Sequence, residues 1–378
     1  MNAPPQALIA EITHRCPLHC VYCSNPLQMQ SAVNELSTDN WIHIIQQAAK
    51  LGCLHLHLTG GEPLLRQDTQ EFVRAGRASG LYVNLITSGL GLSRPRLSAL
   101  VESGLDHIQL SFQDSDEAAA NTFAGMSAHA QKLRVASWIR EHRIAFTVNL
   151  VIHRQNIDRL EQGIRLAEQL KADKLEIANA QYYGWAFRNR EALLPSREQL
   201  RSSLGLVEVA RARLSSRMRI DYVLPDYYAK FPKPCMGGWG RALLLVDPTG
   251  RAMPCHSAGV IPGLHFPNAA LEPLSAIWEH STVFQRFRGD AWMQEPCRSC
   301  ERKHIDFGGC RCQALLLTGD PAATDPVCSL SPKRSIVDEL TGALKIQEPN
   351  PVRWVYRIDP VRSSHALAPV SDQQQRKQ

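Results

Sequence analysis

The sequence of 378 residues has no long apolar run and no recognisable export signal at its start. A membrane-spanning helix needs about 18 or more consecutive apolar residues, and no stretch approaches that length. Residues 1–6 lack both the basic region and the apolar core of a secretory signal. The sequence therefore predicts a cytoplasmic protein with no membrane partner.

A strong excess of one charge is also missing, since the formal net charge is only +6. Nucleic-acid binding normally requires a denser basic patch than this. We therefore expect no nucleic-acid partner and a solvated basic end. Residues 371–378 are polar and are expected to be disordered. The basic residues of this end are Arg353, Arg357, Arg362, Arg376 and Lys377.

The 11 cysteines are clustered rather than scattered. In a chain without an export signal they indicate metal binding rather than disulfides. Three lie between residues 16 and 23, and seven lie between residues 235 and 328. Cys53 stands alone in an apolar run and is expected to be a buried structural thiol. The distribution predicts one metal site near the start of the chain and more metal towards its end.

The first cysteine group, Cys16, Cys20 and Cys23, has the spacing C-x3-C-x2-C and follows an apolar run. One short loop can direct three sulfurs to one centre but cannot easily supply a fourth. An iron–sulfur cube bound here would therefore keep one iron with an open coordination position. The alternatives are a zinc loop, although structural zinc prefers four protein ligands, or three thiols that lie together by chance.

Residues 7–200 alternate short apolar strands with amphipathic helical patterns, which predicts βα units on a parallel sheet. Six such units are too few for an eight-unit barrel and predict an open, partial (β/α)6 barrel of the α/β class. Catalytic groups are expected at the carboxyl ends of the strands. The predicted strands are 7–13, 53–59, 82–87, 107–112, 146–152 and 175–179. The predicted helices are 38–51, 67–79, 95–103, 128–142 and 156–170.

A glycine-rich turn, Gly60-Gly61-Glu62-Pro63, follows the second predicted strand. Two glycines allow the backbone to approach a ligand closely. Together with the three-cysteine loop, this turn resembles radical S-adenosylmethionine (SAM) enzymes. The resemblance implies a [4Fe–4S] cluster on the three cysteines, with SAM on its open iron. It also implies that the turn receives the methionyl ammonium group of SAM, that Tyr22 lies near the adenine and that Ser111 contacts the ribose.

The later cysteines resemble the SPASM domain, a C-terminal extension of many radical SAM enzymes that carries two auxiliary iron–sulfur clusters. Two departures stand out: Asp306 replaces the third cysteine of the usual C-x2-C-x5-C-x3-C motif, and Cys310-Arg311-Cys312 adds a cysteine. The alternative is two structural zinc sites. The resemblance implies two clusters, each [4Fe–4S] or [2Fe–2S], with the ligand sets Cys235, Cys255, Cys310, Cys312 and Cys297, Cys300, Asp306, Cys328.

The chain is expected to divide at its changes of composition. A partial barrel is predicted over residues 1–215, a bridge over 216–234, a SPASM domain over 235–335 and a partly disordered tail over 336–378. Further elements are predicted at 196–215 (helix), 219–224 (strand) and 335–344 (helix).

Asp306, the Cys310–Cys312 pair and the aromatic segment 181–187 together resemble the PqqE family, which starts pyrroloquinoline quinone (PQQ) biosynthesis. The resemblance implies a radical SAM oxidoreductase that joins a Glu side chain to a Tyr ring in the precursor peptide PqqA. It implies as partners the peptide chaperone PqqD and an electron donor such as flavodoxin. Three alternatives remain open: another SPASM peptide-modifying enzyme (a thioether maturase or sulfatase-maturing type), an iron–sulfur electron carrier, and a zinc-binding scaffold.

Overall fold

A computed structural model of the chain describes residues 2–342 and 352–357. The end of the helix predicted at 335–344 and the segment 371–378, predicted to be disordered, lie outside the described residues. So do Arg362, Arg376 and Lys377.

The described residues form one nine-stranded sheet in the order β7-β6-β5-β4-β3-β2-β1-β8-β9. Neighbouring strands are parallel, except for the antiparallel pair β8 and β9 at one edge. The strands are β1 Ala7–Thr13, β2 His55–Gly60, β3 Tyr82–Thr87, β4 His107–Phe112, β5 Ala145–Ile152, β6 Lys174–Asn179, β7 Arg219–Val223, β8 Leu243–Val246 and β9 Ala252–Met253.

Helices connect the parallel strands, and several short helices follow the sheet. They are α1 Thr38–Leu51, α2 Thr69–Ala78, α3 Arg94–Glu102, α4 Glu117–Ala124, α5 His129–His142, α6 Leu160–Gln169, α7 Gly184–Arg188, α8 Arg190–Leu193, α9 Arg197–Leu214, α10 Leu274–His280, α11 Thr282–Gln285, α12 Lys303–Asp306, α13 Arg311–Thr318 and α14 Arg334–Gly342. Short 3₁₀ turns lie at Ala32–Asn34, Pro63–Leu65, Ile157–Arg159, Asp226–Tyr228, Cys235–Gly237 and Ala258–Val260.

The two faces of the sheet differ in chemistry. One face is buried and apolar, as at Leu56 and Ile108, which are fully shielded. The alternate residues of each strand face the other side of the sheet and are often polar, as at Asn84 on β3 and Glu176 on β6. Apolar residues cover one face because helices pack there, while the polar face lines the inside of an open barrel.

The predicted six βα units and the open barrel are confirmed, because β7 and β9 form two unpaired edges of the described sheet. The prediction missed α4, an eight-residue helix whose alanine-rich sequence carries little amphipathic pattern. Ser196 caps α9 as expected: its hydroxyl accepts a hydrogen bond from the Gln199 amide in a reciprocal capping box. Cys53 is buried, as expected.

The hairpin of β8 and β9 joins the main sheet rather than standing apart. β8 pairs in parallel with β1, so the chain that follows Cys235 returns beside the strand that leads into Cys16. The domain boundaries given above remain predictions. None of the described helices is both long and apolar enough to cross a membrane.

Candidate active site

The carboxyl ends of the parallel strands surround a cavity of about 370 Å³, which we call the thiol cavity. It brings together most of the residues that the sequence predicts to hold the cluster and SAM. Glu62 and Pro63 are buried and do not form part of its wall. The predicted residues that line it are Cys16, Cys20, Tyr22, Cys23, Gly60, Gly61 and Ser111.

Gly60 and Gly61 lie against the backbone that leads into the cysteine loop. The Gly61 amide donates to the Thr13 carbonyl at 2.6 Å, and the Glu62 amide donates to the Arg15 carbonyl at 2.7 Å. A Cβ atom at Gly60 would lie 2.1 Å from the Thr13 oxygen, and one at Gly61 would lie 2.3 Å from the Arg15 oxygen. Both positions therefore require glycine, and Gly60 also has a positive φ of 134°.

Glu62 holds this turn against the end of β3. Its carboxylate accepts hydrogen bonds from the Thr87 hydroxyl at 2.6 Å, the Ser88 amide at 2.7 Å and the Leu64 amide at 3.1 Å. Burial raises its pKa, and the hydrogen bonds oppose that rise. The carboxylate already has protein partners, so it fixes the turn while Gly60 and Gly61 face the cavity.

The three thiols of the loop are strongly desolvated. Burial raises the pKa of Cys16 to about 11 and that of Cys20 to about 12. The Arg357 guanidinium opposes the rise at all three cysteines. Metal binding must release these protons, because thiolate is the ligand form. A nearby cation therefore favours the metal-binding state.

Sequence reasoning missed Lys132, which lies on α5 beneath the cavity. Its side chain is fully buried, and its amine donates to the Ser111 carbonyl at 2.8 Å and to the Gln113 side-chain oxygen at 2.6 Å. Burial lowers its pKa to about 8. The one signal in the sequence was the helical spacing of α5, which puts this lysine on the same face as the buried apolar residues.

The expectation of a solvated basic end is wrong for Arg357. Its side chain is buried, lines the thiol cavity and donates to the Cys16 carbonyl at 2.6 Å. Arg353, four residues earlier, is exposed as expected. No local sequence pattern separates the two arginines, because the partner of Arg357 lies 341 residues away.

The aromatic segment 181–187 connects the cysteine loop with the later cysteines. The amides of Trp185 and Ala186 at the start of α7 both donate to the Cys23 carbonyl at 3.0 Å. The Tyr183 hydroxyl lies 2.9 Å from the Cys310 sulfur. One segment thus contacts both groups of thiols.

The four cysteines of the first predicted auxiliary set lie close enough to affect one another's ionisation. Hydrogen bonds from the Cys235 and Cys312 thiols lower the pKa of both Cys255 and Cys310. Cys255 and Cys312 are buried, and Cys235 and Cys310 are partly exposed. The structure therefore brings this set together from three separate segments.

The second predicted set also converges. Burial raises the pKa of Cys328, and the nearby Cys297, Asp306 and Cys300 add to that rise. Asp306 is buried at the end of α12 and accepts a hydrogen bond from the Gly308 amide at 3.0 Å. Among the described residues, no three His, Cys, Asp or Glu side chains are arranged to hold a single metal ion. Both ligand sets remain predictions.

A second cavity of about 630 Å³, which we call the outer cavity, adjoins the thiol cavity. Ser24 and His256 line both. Tyr183 and Phe187 form part of its wall, and the exposed Arg188 lies there as well. Its size is ordinary for a ligand site, and it opens towards the predicted SAM position.

The close approach at Gly61 can be tested with Gly61→Ala. We expect loss of bound iron and a lower thermal midpoint, because the new Cβ meets the Arg15 and His14 carbonyl oxygens at 2.3 and 2.6 Å. Iron content and thermal unfolding of anaerobically purified protein are the measurements.

The matched control is Gly205→Ala in α9, where a Cβ meets nothing within 4 Å. This change should keep the iron and stabilise the fold by about 0.5–1 kcal/mol, since alanine is the better helix former. Wild-type iron content and midpoint in Gly61→Ala would refute the steric argument.

Solved structures share this fold. Streptococcus suis SuiB bound to S-adenosylmethionine is 19% identical with a TM-score of 0.73, covering 87% of this chain and 78% of that one. Native anSMEcpe with bound AdoMet and the Cp18Cys peptide is 15% identical with a TM-score of 0.65, covering 90% of this chain and 98% of that one. At such identities the likeness establishes the fold alone.

Comparison of sequences is more specific. The Radical SAM superfamily profile matches residues 10–167, and the SPASM profile, an iron-sulfur cluster-binding domain, matches residues 235–301. The PqqA peptide cyclase of Granulibacter bethesdensis is 49% identical, covering 94% of both chains. That of Gluconobacter oxydans is 53% identical, covering 90% of this chain and 94% of the relative. These matches confirm the resemblance inferred from the cysteine motifs: the chain belongs to the PqqA peptide cyclase family of radical SAM enzymes with a SPASM domain.

Proposed function

We propose that this enzyme is an oxidoreductase that joins a glutamate side-chain carbon to a tyrosine ring carbon within the peptide PqqA, an early step of PQQ biosynthesis. The observation that carries this proposal is the 53% identity, over nine-tenths of the chain, to a relative named PqqA peptide cyclase. The convergence of the predicted ligands on one edge of the sheet supports it.

The reaction is a two-electron oxidation of the peptide. When bound, a reduced [4Fe–4S] cluster and SAM supply a 5′-deoxyadenosyl radical that removes a hydrogen atom from the glutamate side chain. The resulting carbon radical adds to the tyrosine ring, and loss of one electron and one proton restores aromaticity. The residues proposed to bind the auxiliary clusters would hold an acceptor for that electron. Removal of one hydrogen atom, then of one electron and one proton, makes the product lighter by two hydrogens.

Cys16, Cys20 and Cys23 would hold the SAM-binding cluster. Gly60 and Gly61 expose backbone to the same cavity, where the methionyl ammonium group would bind. Tyr22 and Ser111 line the cavity as proposed contacts of the adenine and the ribose. The buried Lys132 and Arg357 place positive charge near three thiolates, which stabilises the ligand form.

The outer cavity is the proposed binding site of PqqA. It shares Ser24 and His256 with the thiol cavity, so a peptide lying there would reach the SAM position. Leu27 and Phe187 give it apolar surface for a tyrosine ring, and Arg188 offers an exposed cation for a glutamate carboxylate. Arg251 already pairs with Asp247 at 2.7 Å, which favours Arg188 for that role.

The two auxiliary clusters are proposed to use the ligand sets predicted from the sequence. Asp306 would then replace one thiolate in the second set. A carboxylate is a harder ligand than a thiolate, so it should alter the potential and lability of that cluster. Asp306 also argues against a thioether maturase or sulfatase-maturing enzyme, whose usual motif has cysteine at this position.

PqqD, as chaperone of PqqA, and a flavodoxin-type reductant in the cytoplasm are the further partners we propose. An electron carrier without SAM chemistry would not require the glycine turn or its neighbouring cavity. A zinc scaffold would purify with zinc and without sulfide. Metal and sulfide analysis of anaerobic protein separates the zinc scaffold from the enzyme. Absence of SAM cleavage after anaerobic reduction would instead identify an electron carrier.

The function is tested by anaerobic incubation with SAM, reductant, PqqA and PqqD, followed by mass spectrometry. We expect a PqqA product lighter by two hydrogens, with fragmentation locating the link between Glu and Tyr. Cys20→Ala is the control and should yield neither 5′-deoxyadenosine nor product, because it removes a proposed cluster ligand. Deoxyadenosine formation with unchanged PqqA would refute the crosslinking function and leave only SAM cleavage.

Asp306→Ala should spare SAM cleavage but impair crosslinking, because only the second auxiliary set loses a ligand. Asp306→Cys restores the usual thiolate and should retain that cluster with a changed reduction potential. Glu301→Ala, at an exposed position nearby, is the control for local disturbance. Deoxyadenosine and product are measured in parallel. Normal crosslinking by Asp306→Ala would disprove the ligand assignment.

Tyr183→Phe removes the hydroxyl that contacts Cys310. Hydrogen bonds to cluster sulfurs stabilise the reduced, more negative state, so we expect a lower reduction potential for the first auxiliary cluster. The control is Tyr182→Phe, since the buried Tyr182 hydroxyl has no hydrogen-bond partner among the described residues. Redox titration followed by electron paramagnetic resonance (EPR) measures the shift, and equal potentials in the two variants would contradict it.

A further inference from the structure

A short segment near the end of the chain, residues 352–357, lies on the cysteine loop, and we call it the strap. It contains the buried Arg357 and the exposed Arg353. Neither the sequence motifs nor the matched family profiles, which end at residue 301, assign it a role.

The strap is attached to the first cysteine loop by hydrogen bonds in both directions. Arg357 Nη2 donates to the Cys16 carbonyl at 2.6 Å and also to the Leu18 carbonyl. His19 Nδ1 donates to the Arg357 carbonyl at 2.6 Å. One residue of the strap thus holds Cys16, Leu18 and His19 of the loop.

A second attachment passes through Asn189. Its side-chain amide donates to the Val21 carbonyl at 2.8 Å and to the Val355 carbonyl at 2.9 Å. Its side-chain oxygen accepts from the Val355 amide at 2.9 Å. Asn189 is buried, and its bond to Val21 is shielded from water, while the two bonds to Val355 are partly shielded. The Asn189 side chain therefore joins the strap to the loop by hydrogen bonds to the backbone of both.

Aromatic packing and one further hydrogen bond complete the attachment. Trp354 meets Phe123 edge to face, with ring centroids 6.0 Å apart. The Tyr356 hydroxyl donates to the Thr122 carbonyl at 3.1 Å. Phe123 belongs to α4, and its carbonyl accepts from the Val21 amide of the cysteine loop at 3.1 Å. The strap thus contacts the loop and the helix that supports it.

We propose that the strap contributes to SAM binding. In this proposal Arg357 positions the cysteine loop and supplies positive charge to the thiol cavity. Arg357 lines that cavity together with all three cysteines. A guanidinium suits this position because one of its NH2 groups donates to two carbonyls at once and the group remains charged when buried. The inference rests on the proposed cluster and SAM site, but not on the identity of the peptide.

Arg357→Ala tests the proposal, and the measurements are made without peptide. We expect SAM to bind at least about tenfold more weakly, since hydrogen bonds from a charged donor are lost. We also expect a smaller SAM-induced change in the EPR spectrum of the reduced protein, which reports only the cluster that binds SAM. The matched control is Arg353→Ala, which should behave as wild type.

Arg357→Lys keeps the charge but replaces the planar guanidinium with a compact ammonium group, so its SAM affinity should fall between those of wild type and Arg357→Ala. If Arg357→Ala does not yield folded protein, Tyr356→Phe provides the test, because it removes one hydroxyl of the strap and leaves Arg357 in place. It should weaken SAM binding by about twofold or more, as loss of one neutral hydrogen bond predicts.

Wild-type SAM affinity and an unchanged EPR response in Arg357→Ala, or in Tyr356→Phe where that variant is needed, would overturn the proposal. So would an equal loss in Arg353→Ala. These outcomes are separate from those for the proposed function. If SAM binding depends on Arg357 but the enzyme leaves PqqA unchanged, only the crosslinking function is refuted.

Discussion

The site depends on how closely two stretches of backbone approach each other at the ends of β1 and β2. The amides of Gly61 and Glu62 donate to the carbonyls of Thr13 and Arg15, and the close approach leaves no room for a Cβ atom at Gly60 or Gly61. The pairing register of the two strands also shifts between Glu11 and Thr13, just before this contact. The glycine turn therefore lies beside the loop that begins at Cys16.

The cysteine loop has little regular structure of its own, so distant parts of the chain must hold it. The end of α4 accepts hydrogen bonds from the amides of His19 and Val21, and the start of α7 donates to the Cys23 carbonyl. Arg357 holds the carbonyls of Cys16 and Leu18. Loops without such support lose more conformational entropy when they bind a ligand. Here that ordering is already provided by the folded chain.

Electrostatics also constrains the site, because it determines how readily the three thiols ionise. Burial disfavours the thiolate form of Cys16, Cys20 and Cys23, yet this is the form that binds metal. Cations near the loop offset part of that cost, and among the described residues Lys132 and Arg357 lower the pKa of Cys20. Glu62 acts in the opposite direction, because its negative charge adds to the rise in the pKa of Cys16, and its carboxylate is bound by Thr87 and Ser88.

The sequence predicted the barrel well because its signals are local. Alternating apolar strands with glycine or polar ends gave the bounds of β1, β3 and β4 correctly. The cysteine spacing likewise identified residues that share one cavity. α4 was missed because its alanines carry no clear period, although it supports the cysteine loop.

Arg357 could not be recognised from the sequence for a different reason. Arg353 and Arg357 both stand between apolar or aromatic residues, so their neighbours do not distinguish them, and the burial of Arg357 depends on carbonyl groups more than 300 residues earlier. The same limit applies to Tyr183. The aromatic segment was conspicuous in the sequence, but only the folded chain places that hydroxyl next to Cys310.

Long-range contacts also bring the proposed peptide site, the thiol cavity and the first proposed auxiliary ligand set next to one another. The outer cavity meets the thiol cavity at Ser24 and His256, so a peptide there would lie beside the proposed SAM site. Tyr183 lines the same outer cavity and contacts Cys310, a proposed ligand of the first auxiliary cluster. The set that contains Asp306 has no comparable contact with this cavity among its lining residues. If the two proposed ligand sets hold clusters, the first would therefore be the better placed to accept an electron from the peptide, and Asp306 would tune the second.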